Sequence, residues 1–207
     1  MTSAPESVDF KSWRKGERAK LIAQRLAMPV EQRVEYSTRI TALLLEYLPD
    51  VSGRIVSAYW PLRGEPDLRP WMTSVIGRGG RCALPVVVRK AAPLEFRLWE
   101  PGCRMEPGVW NIPVPAQGEV VTPDFLVAPV VGFDGACYRL GYGGGYFDRT
   151  LVTYSPQPAV AGVGYAAAAL PTIYPQTYDI PMNVIITERC ILYPSKSVPP
   201  TRHSAID

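Results

Sequence analysis

Between positions 139 and 149 the chain reads Arg139-Leu140-Gly141-Tyr142-Gly143-Gly144-Gly145-Tyr146-Phe147-Asp148-Arg149. Four glycines fall within five residues, with an arginine on either side and an aspartate behind them. Glycine inside a strand or helix costs backbone entropy, so such a cluster marks close backbone approach or positive φ angles. Backbone N–H groups in a turn of this kind can cradle phosphate. Arg139 and Arg149 add directional donors for phosphate oxygens. Asp148 offers the hard oxygen ligand that Mg²⁺ prefers, and Tyr142 and Tyr146 offer flat faces to a heteroaromatic ligand. Two plainer readings stand beside this one: a tight connection with two stacked tyrosines, and arginines held in structural ion pairs. The run is not the GxxxxGK[ST] phosphate loop, because no Lys-Ser/Thr pair ends it, and its spacing differs from GxGxxG.

The elements that position this run follow from periodicity. Phe10 to Met28 reads as a basic amphipathic helix with Trp13, Leu21, Ile22 and Leu26 as apolar positions, weakened by Gly16. Pro29 breaks it and suits the first turn of a second helix, Val30 to Tyr47, whose stripe includes Ile40, Leu43 and Leu44. Strands are expected at Arg54–Trp60, Arg81–Val88 and Leu94–Trp99, from their β-branched and aromatic content. A short helix is expected at Pro70–Gly77, and Trp110–Pro115, punctuated by Asn111, Pro113 and Pro115, reads as irregular. Phe125–Gly132 reads as one buried strand leading into the glycine run. A helix opens near Phe147, and Ala159–Tyr165 and Val184–Thr187 complete the strands. Alternating helices and strands argue for an α/β layer architecture. A glycine loop following a buried strand is where such proteins place ligands.

The whole-chain numbers narrow the options. A length of 207 residues suits a single compact domain, with ends at 1–9 and 195–207 expected to be flexible. Net charge is only +3 and no dense Lys/Arg block is present, so nucleic acid is not an expected partner. Cys82, Cys103, Cys137 and Cys190 form no close zinc or redox pair, and the sole histidine, His203, lies in a polar stretch. No apolar run is long enough for a membrane span, and the first twenty residues lack a secretory apolar region. The expected setting is cytoplasmic, away from the membrane and without an obligate protein partner.

The run Val130-Val131-Gly132-Phe133-Asp134, followed by Arg139 through Arg149, resembles the 5-formyltetrahydrofolate cyclo-ligase family, also called methenyltetrahydrofolate synthetases. Tyr59-Trp60-Pro61 through Glu65, Leu84-Pro85, Trp110 through Pro115 and Asp179 through Glu188 extend the resemblance over most of the chain. It implies a three-layer α/β sandwich with a mainly parallel central sheet. It also implies an ATP- and Mg²⁺-dependent enzyme that closes 5-formyltetrahydrofolate to 5,10-methenyltetrahydrofolate by phosphorylating the formyl oxygen.

Carried onto this chain, the family pattern assigns ATP phosphates to Arg14, Arg18, Arg139, Gly141, Gly143, Gly144, Gly145 and Arg149. Arg14 and Arg18 share a helix face by their spacing, although alone they would read as a solvated basic stripe. The pattern assigns the folate to Trp60, Glu65, Trp110, Tyr142 and Tyr146, and Mg²⁺ to Asp148 and Asp179. Arg139, Tyr142 and Tyr146 would serve the catalytic step. The chain departs from the family where Arg14 replaces a frequent lysine, where Tyr178 precedes Asp179 in place of histidine, and where Asn183 replaces a second acid. Val114 stands where polar residues are common, and the stretch from Trp60 to Glu65 is also a variant. Two other readings remain: a relative acting on another pterin or formylated compound, and a nonenzymatic nucleotide- or folate-binding protein.

Overall fold

A computed structural model describes residues 9–195. His203 and most of the two ends expected to be flexible lie outside that range. Asp9 and Ser195 lie within it: Asp9 caps the first helix, and the Ser195 hydroxyl donates to the Gly135 carbonyl.

The elements run α1 (Phe10–Ala27), α2 (Val30–Tyr47), β1 (Ile55–Ser57), α3 (Arg69–Gly77), β2 (Arg81–Val86) and β3 (Glu95–Trp99). Then come β4 (Met105–Pro107), a single 3-10 turn at Val109–Asn111, β5 (Pro113–Pro115), β6 (Val120–Val121) and β7 (Phe125–Pro129). After these follow β8 (Gly132–Phe133), β9 (Arg139–Leu140), α4 (Tyr146–Leu151) and β10 (Ala159–Val163). A second 3-10 turn at Ala166–Ala168, β11 (Val184–Ile186) and β12 (Ile191–Leu192) close the order. Among the described residues no helix is long and apolar enough to cross a membrane.

The main sheet has eight strands in the order β12-β11-β10-β7-β1-β2-β3-β6. Its centre, from β11 to β2, is parallel, and antiparallel pairings add β12 at one edge and β3, then β6, at the other. Strand residues alternate between two cores, as the period of two demands. Val56, Cys82, Leu84, Phe125, Val127, Ala161 and Val184 pack under α2 and α3, through Ile40, Leu44, Trp71, Met72 and Val75. Ala83, Leu126, Ala128, Val160 and Ile185 face the other way, onto Phe147 and Leu151 of α4. The result is the expected three-layer sandwich. Helix α1 stands apart: its Leu21 packs with Val131, Leu140 and Ile173.

Both long helices match their expected spans to within a residue, with Pro29 at the N-cap of α2 and not in its first turn. The strands are shorter than expected. β1 stops at Ser57, and Tyr59 and Trp60 leave the sheet. The expected strand Phe125–Gly132 is split: β7 ends at Pro129, which has no N–H to continue the ladder, and Gly132–Phe133 pairs instead with Arg139–Leu140. Asp134 shapes that hairpin by accepting from the N–H groups of Ala136 and Tyr138, and its other oxygen takes the N–H of Ile173. Trp110–Pro115 is not wholly irregular, because Pro113–Pro115 pairs with Met105–Pro107 as a separate hairpin. Periodicity misses it because Val114 lies between two prolines.

Candidate active site

A cavity of about 590 Å³ opens at the carboxyl end of the parallel strands. Tyr59 and Trp60 beyond β1, Pro85 and Val87 of the β2 end, and Pro129 of β7 form its floor. The chain winds outward in opposite directions from β1 and β7, so the cavity lies at the switch point of the sheet. Every residue assigned to ATP, folate, Mg²⁺ or catalysis from the sequence lines it.

The glycine run is shaped by the arginines around it. A Cβ at Gly141 would lie 2.5 Å from an Arg139 nitrogen, and Gly143, at φ +93°, would meet the Arg18 guanidinium at 3.3 Å. Gly145, at φ +63°, forms the left-handed N-cap of α4 against Arg149. Larger residues would push these guanidinium groups out of place.

Each arginine has a defined anchor. Arg14 donates through Nε to the Ile173 carbonyl at 3.0 Å and through Nη2 to the Tyr174 carbonyl at 2.9 Å. Its two Nη atoms grip the Asp179 carboxylate at 3.3 and 2.5 Å. Arg18 donates from Nε to the Gly141 carbonyl at 2.7 Å. Burial lowers its pKa, and the neighbouring Arg14 lowers it further. Arg139 donates to Asp148 Oδ2 at 3.0 Å and lies over the Phe147 ring, and its Nε is buried without a partner. Burial lowers the Arg139 pKa against the opposing pull of Asp148. Arg149 bonds the Gly144 carbonyl, stacks on Tyr146, and also keeps a buried, unpartnered Nε. Five basic side chains against three carboxylates line the cavity, so it favours a polyanion.

The carboxylates differ in their freedom. Both oxygens of Asp179 are engaged, by Arg14 and by the N–H of Gln176 at 2.7 Å. Asp148 Oδ1 accepts only a long bond of 3.3 Å from the N–H of Ile180. Among the described residues no cluster of three or more potential ligand side chains could hold a metal ion. Mg²⁺ would therefore take one or both aspartates and complete its shell from phosphate oxygens and water, its usual habit.

The aromatic half of the cavity faces this charged half. Trp110 meets Tyr146 edge-on, with ring centroids 5.8 Å apart, and is 61% exposed. Trp110 and Asn111 both have positive φ, 56° and 59°, at the tip of the β4–β5 hairpin. Strain of this kind in non-glycine residues collects at functional sites. Trp60 rests against Trp99 and under Arg69. Glu65 is buried, and the Tyr142 hydroxyl donates to it at 2.8 Å. Val114 lines the cavity, and so does Tyr178 beside Asp179. Asn183 does not line it: the Asn183 side chain accepts from the N–H of Val160, at the opposite end of β10.

Arg25 was missed. It is buried on α1 and donates to the Tyr142 hydroxyl at 2.6 Å. A signal for it existed, since Arg14, Arg18, Leu21 and Arg25 share one stripe by helical spacing. Charged residues repeating at core-facing positions need buried partners.

The pattern of the 5-formyltetrahydrofolate cyclo-ligase family matches residues 10–188. The chain is 30% identical to the 5-formyltetrahydrofolate cyclo-ligase of Escherichia coli over 79% of its length and 94% of that protein. It is also 30% identical to the protein of that name from Mycolicibacterium smegmatis, over 67% of this chain and 76% of the relative. The solved structure of Aquifex aeolicus 5,10-methenyltetrahydrofolate synthetase superposes with a TM-score of 0.74 at 28% identity, covering 93% of this chain and 99% of that one.

Proposed function

Since the chain belongs to the 5-formyltetrahydrofolate cyclo-ligase family, we propose that it converts 5-formyltetrahydrofolate to 5,10-methenyltetrahydrofolate at the expense of ATP. The observation that carries this reading is the single cavity onto which the charged glycine run and the tryptophans converge. One half is built for a polyanion and the other for a flat ring.

In this reading the γ-phosphoryl group passes from ATP to the formyl oxygen, releasing ADP. N10 then attacks the formyl carbon and gives up its proton to solvent, the carbon–oxygen bond breaks, and phosphate leaves with the oxygen. An amide-like oxygen is a poor leaving group, and phosphate is a good one. Phosphoryl transfer asks the protein mainly for position and charge. Arg14, Arg18, Arg139 and Arg149 surround the triphosphate, with Gly141, Gly143, Gly144 and Gly145 allowing close approach. Arg139 has its guanidinium already fixed by Asp148, so charge developing on the transferred group meets a preorganised donor. Trp60, Glu65 and Trp110 hold the folate, and Tyr142 and Tyr146 border its reacting end. Asp148 is better placed than Asp179 to hold Mg²⁺, because one of its oxygens is almost free. When bound, Mg²⁺ would neutralise phosphate charge. The unpaired state of all four cysteines suits the cytoplasmic setting of this chemistry.

The test mixes purified protein with ATP, Mg²⁺ and 5-formyltetrahydrofolate and follows the near-ultraviolet absorbance of the methenyl product. Stoichiometric ADP should accompany it. A folded, ATP-binding protein that yields no product would sink the proposal, and turnover with another formylated pterin would then favour a divergent relative.

A further inference from the structure

Arg25 lies about three helical turns beyond Arg14 on α1 and has no part in the reaction scheme above. Its side chain is only 5% exposed. Nε donates to the Arg63 carbonyl at 2.9 Å and Nη2 to the Tyr142 hydroxyl at 2.6 Å. With that lone pair occupied, the hydroxyl turns its proton onto Glu65 Oε1, 2.8 Å away. Glu65 Oε2 accepts from the N–H of Leu62 at 2.8 Å. The bonds thus run in one direction, from Arg25 through Tyr142 to Glu65, and leave acceptor capacity on both carboxylate oxygens.

A buried carboxylate without a cation reverts to its neutral form. The groups facing Glu65 are Tyr142 from the glycine run, Tyr59 beyond β1, Arg63 in its own turn, and Arg25 from α1, while Tyr165 beyond β10 donates to the adjoining Gly64 carbonyl. Arg33 of α2 reaches the adjoining Gly64. Of the arginines, only Arg25 is both buried and bonded into the chain leading to the carboxylate.

We propose that Arg25 is a positioning residue of the substrate pocket: through Tyr142 it holds Glu65 as an oriented, ionised acceptor for the N–H edge of the bound ring. This rests on the folate reading of the cavity. Burial pushes the Glu65 carboxyl up, and Arg25 is the strongest influence holding it down. Burial, with Glu65 nearby, raises the Tyr142 phenol, which keeps it a donor.

The test compares Arg25→Gln, Arg25→Lys and wild type. Carbon-13 NMR of labelled glutamate carboxyls, assigned with Glu65→Gln, reads the titration of Glu65 in the ligand-free protein. In Arg25→Gln the Glu65 titration should move to higher pH, and Arg25→Lys should restore much of it. KM for 5-formyltetrahydrofolate should rise about tenfold or more in Arg25→Gln, while KM for ATP stays put and the acid limb of kcat/KM moves to higher pH. A merely structural arginine would lower stability and both affinities without moving the Glu65 titration. An unmoved titration in folded Arg25→Gln overturns the proposal. If that variant does not fold, Tyr142→Phe cuts the same chain by removing one oxygen; it should raise the Glu65 titration and the folate KM, and no change in either overturns the proposal. Wild-type protein that makes no methenyl product would overturn the functional reading alone, because the carboxyl titration still decides the role of Arg25.

Discussion

Arg139 and Asp148 stand nine positions apart in the chain and meet at 3.0 Å beside the glycine run. An arginine in an ion pair and an arginine lining a ligand cavity are thus compatible readings of one residue. Arg139 does make an ion pair while Arg149 bonds the Gly144 carbonyl, and both still line the cavity. The glycine run was legible as a place of close approach because nothing in a core requires four glycines there, and Gly141 and Gly143 clear space for Arg139 and Arg18. Arg25 was not legible in the same way, since its partners are 38 and 117 positions distant. Asn183, which stands where the family has a second acid, lies away from the cavity and serves the backbone of β10. Asp148 gives the residue-scale prediction. Removing its charge frees Arg139 and leaves a buried cation unpaired. Asp148→Ala should cut turnover by about a hundredfold, the scale of losing a preorganised charged group, and raise the Mg²⁺ concentration needed for half-maximal rate. Steady-state rates across a Mg²⁺ series check this. A wild-type Mg²⁺ dependence would remove Asp148 from the metal's shell.

The β4–β5 hairpin is the element that sequence periodicity served least well. Its strands have three residues each, too short for an alternation to register, and prolines occupy both ends of β5. The two-residue strands β6, β8, β9 and β12 escaped for the same reason. Helices α1 and α2, at 18 residues each, repeat their apolar stripe often enough to be read directly. Yet the hairpin carries Trp110 over the glycine run at positive φ, edge-on to Tyr146. An exposed aromatic held in a strained turn contributes little to folding, so its truncation should be felt in binding. Trp110→Ala should raise KM for 5-formyltetrahydrofolate about tenfold, as expected when an aromatic stacking face is lost, with KM for ATP unchanged. Thermal denaturation should shift by no more than about 2 °C, because surface changes alter stability by under about 0.5 kcal/mol. Equal losses in both KM values would instead place Trp110 at the nucleotide.

At the scale of the whole molecule, the α/β class was readable from alternating segments, but the strand order was not, since pairing of β1 with β7 joins residues far apart in sequence. The order matters for the site, because the switch point between those strands opens the cavity. The cavity then draws on α1 at one end of the described chain and on Asp179 near the other, linked by Arg14 across 165 positions. Helix α1 is held there by Leu21 and Ile22, by Trp13 against Tyr174, and by guanidinium bonds to loops. The sheet centre around β10 and β11 is packed on both faces. Local opening should therefore be easier at α1 than at the sheet. A polyanion joining Arg14 and Arg18 to the glycine run would tie α1 down. Mg-ATP at about one hundred times its Kd stabilises the folded state by about 2.7 kcal/mol. In hydrogen exchange that gain should fall on the amides of α1 and of residues 141–149, with β10 and β11 protected alike in both states. Protection that rises in the sheet while α1 exchanges as before would mean that the nucleotide does not bridge Arg14 and Arg18 to the glycine run.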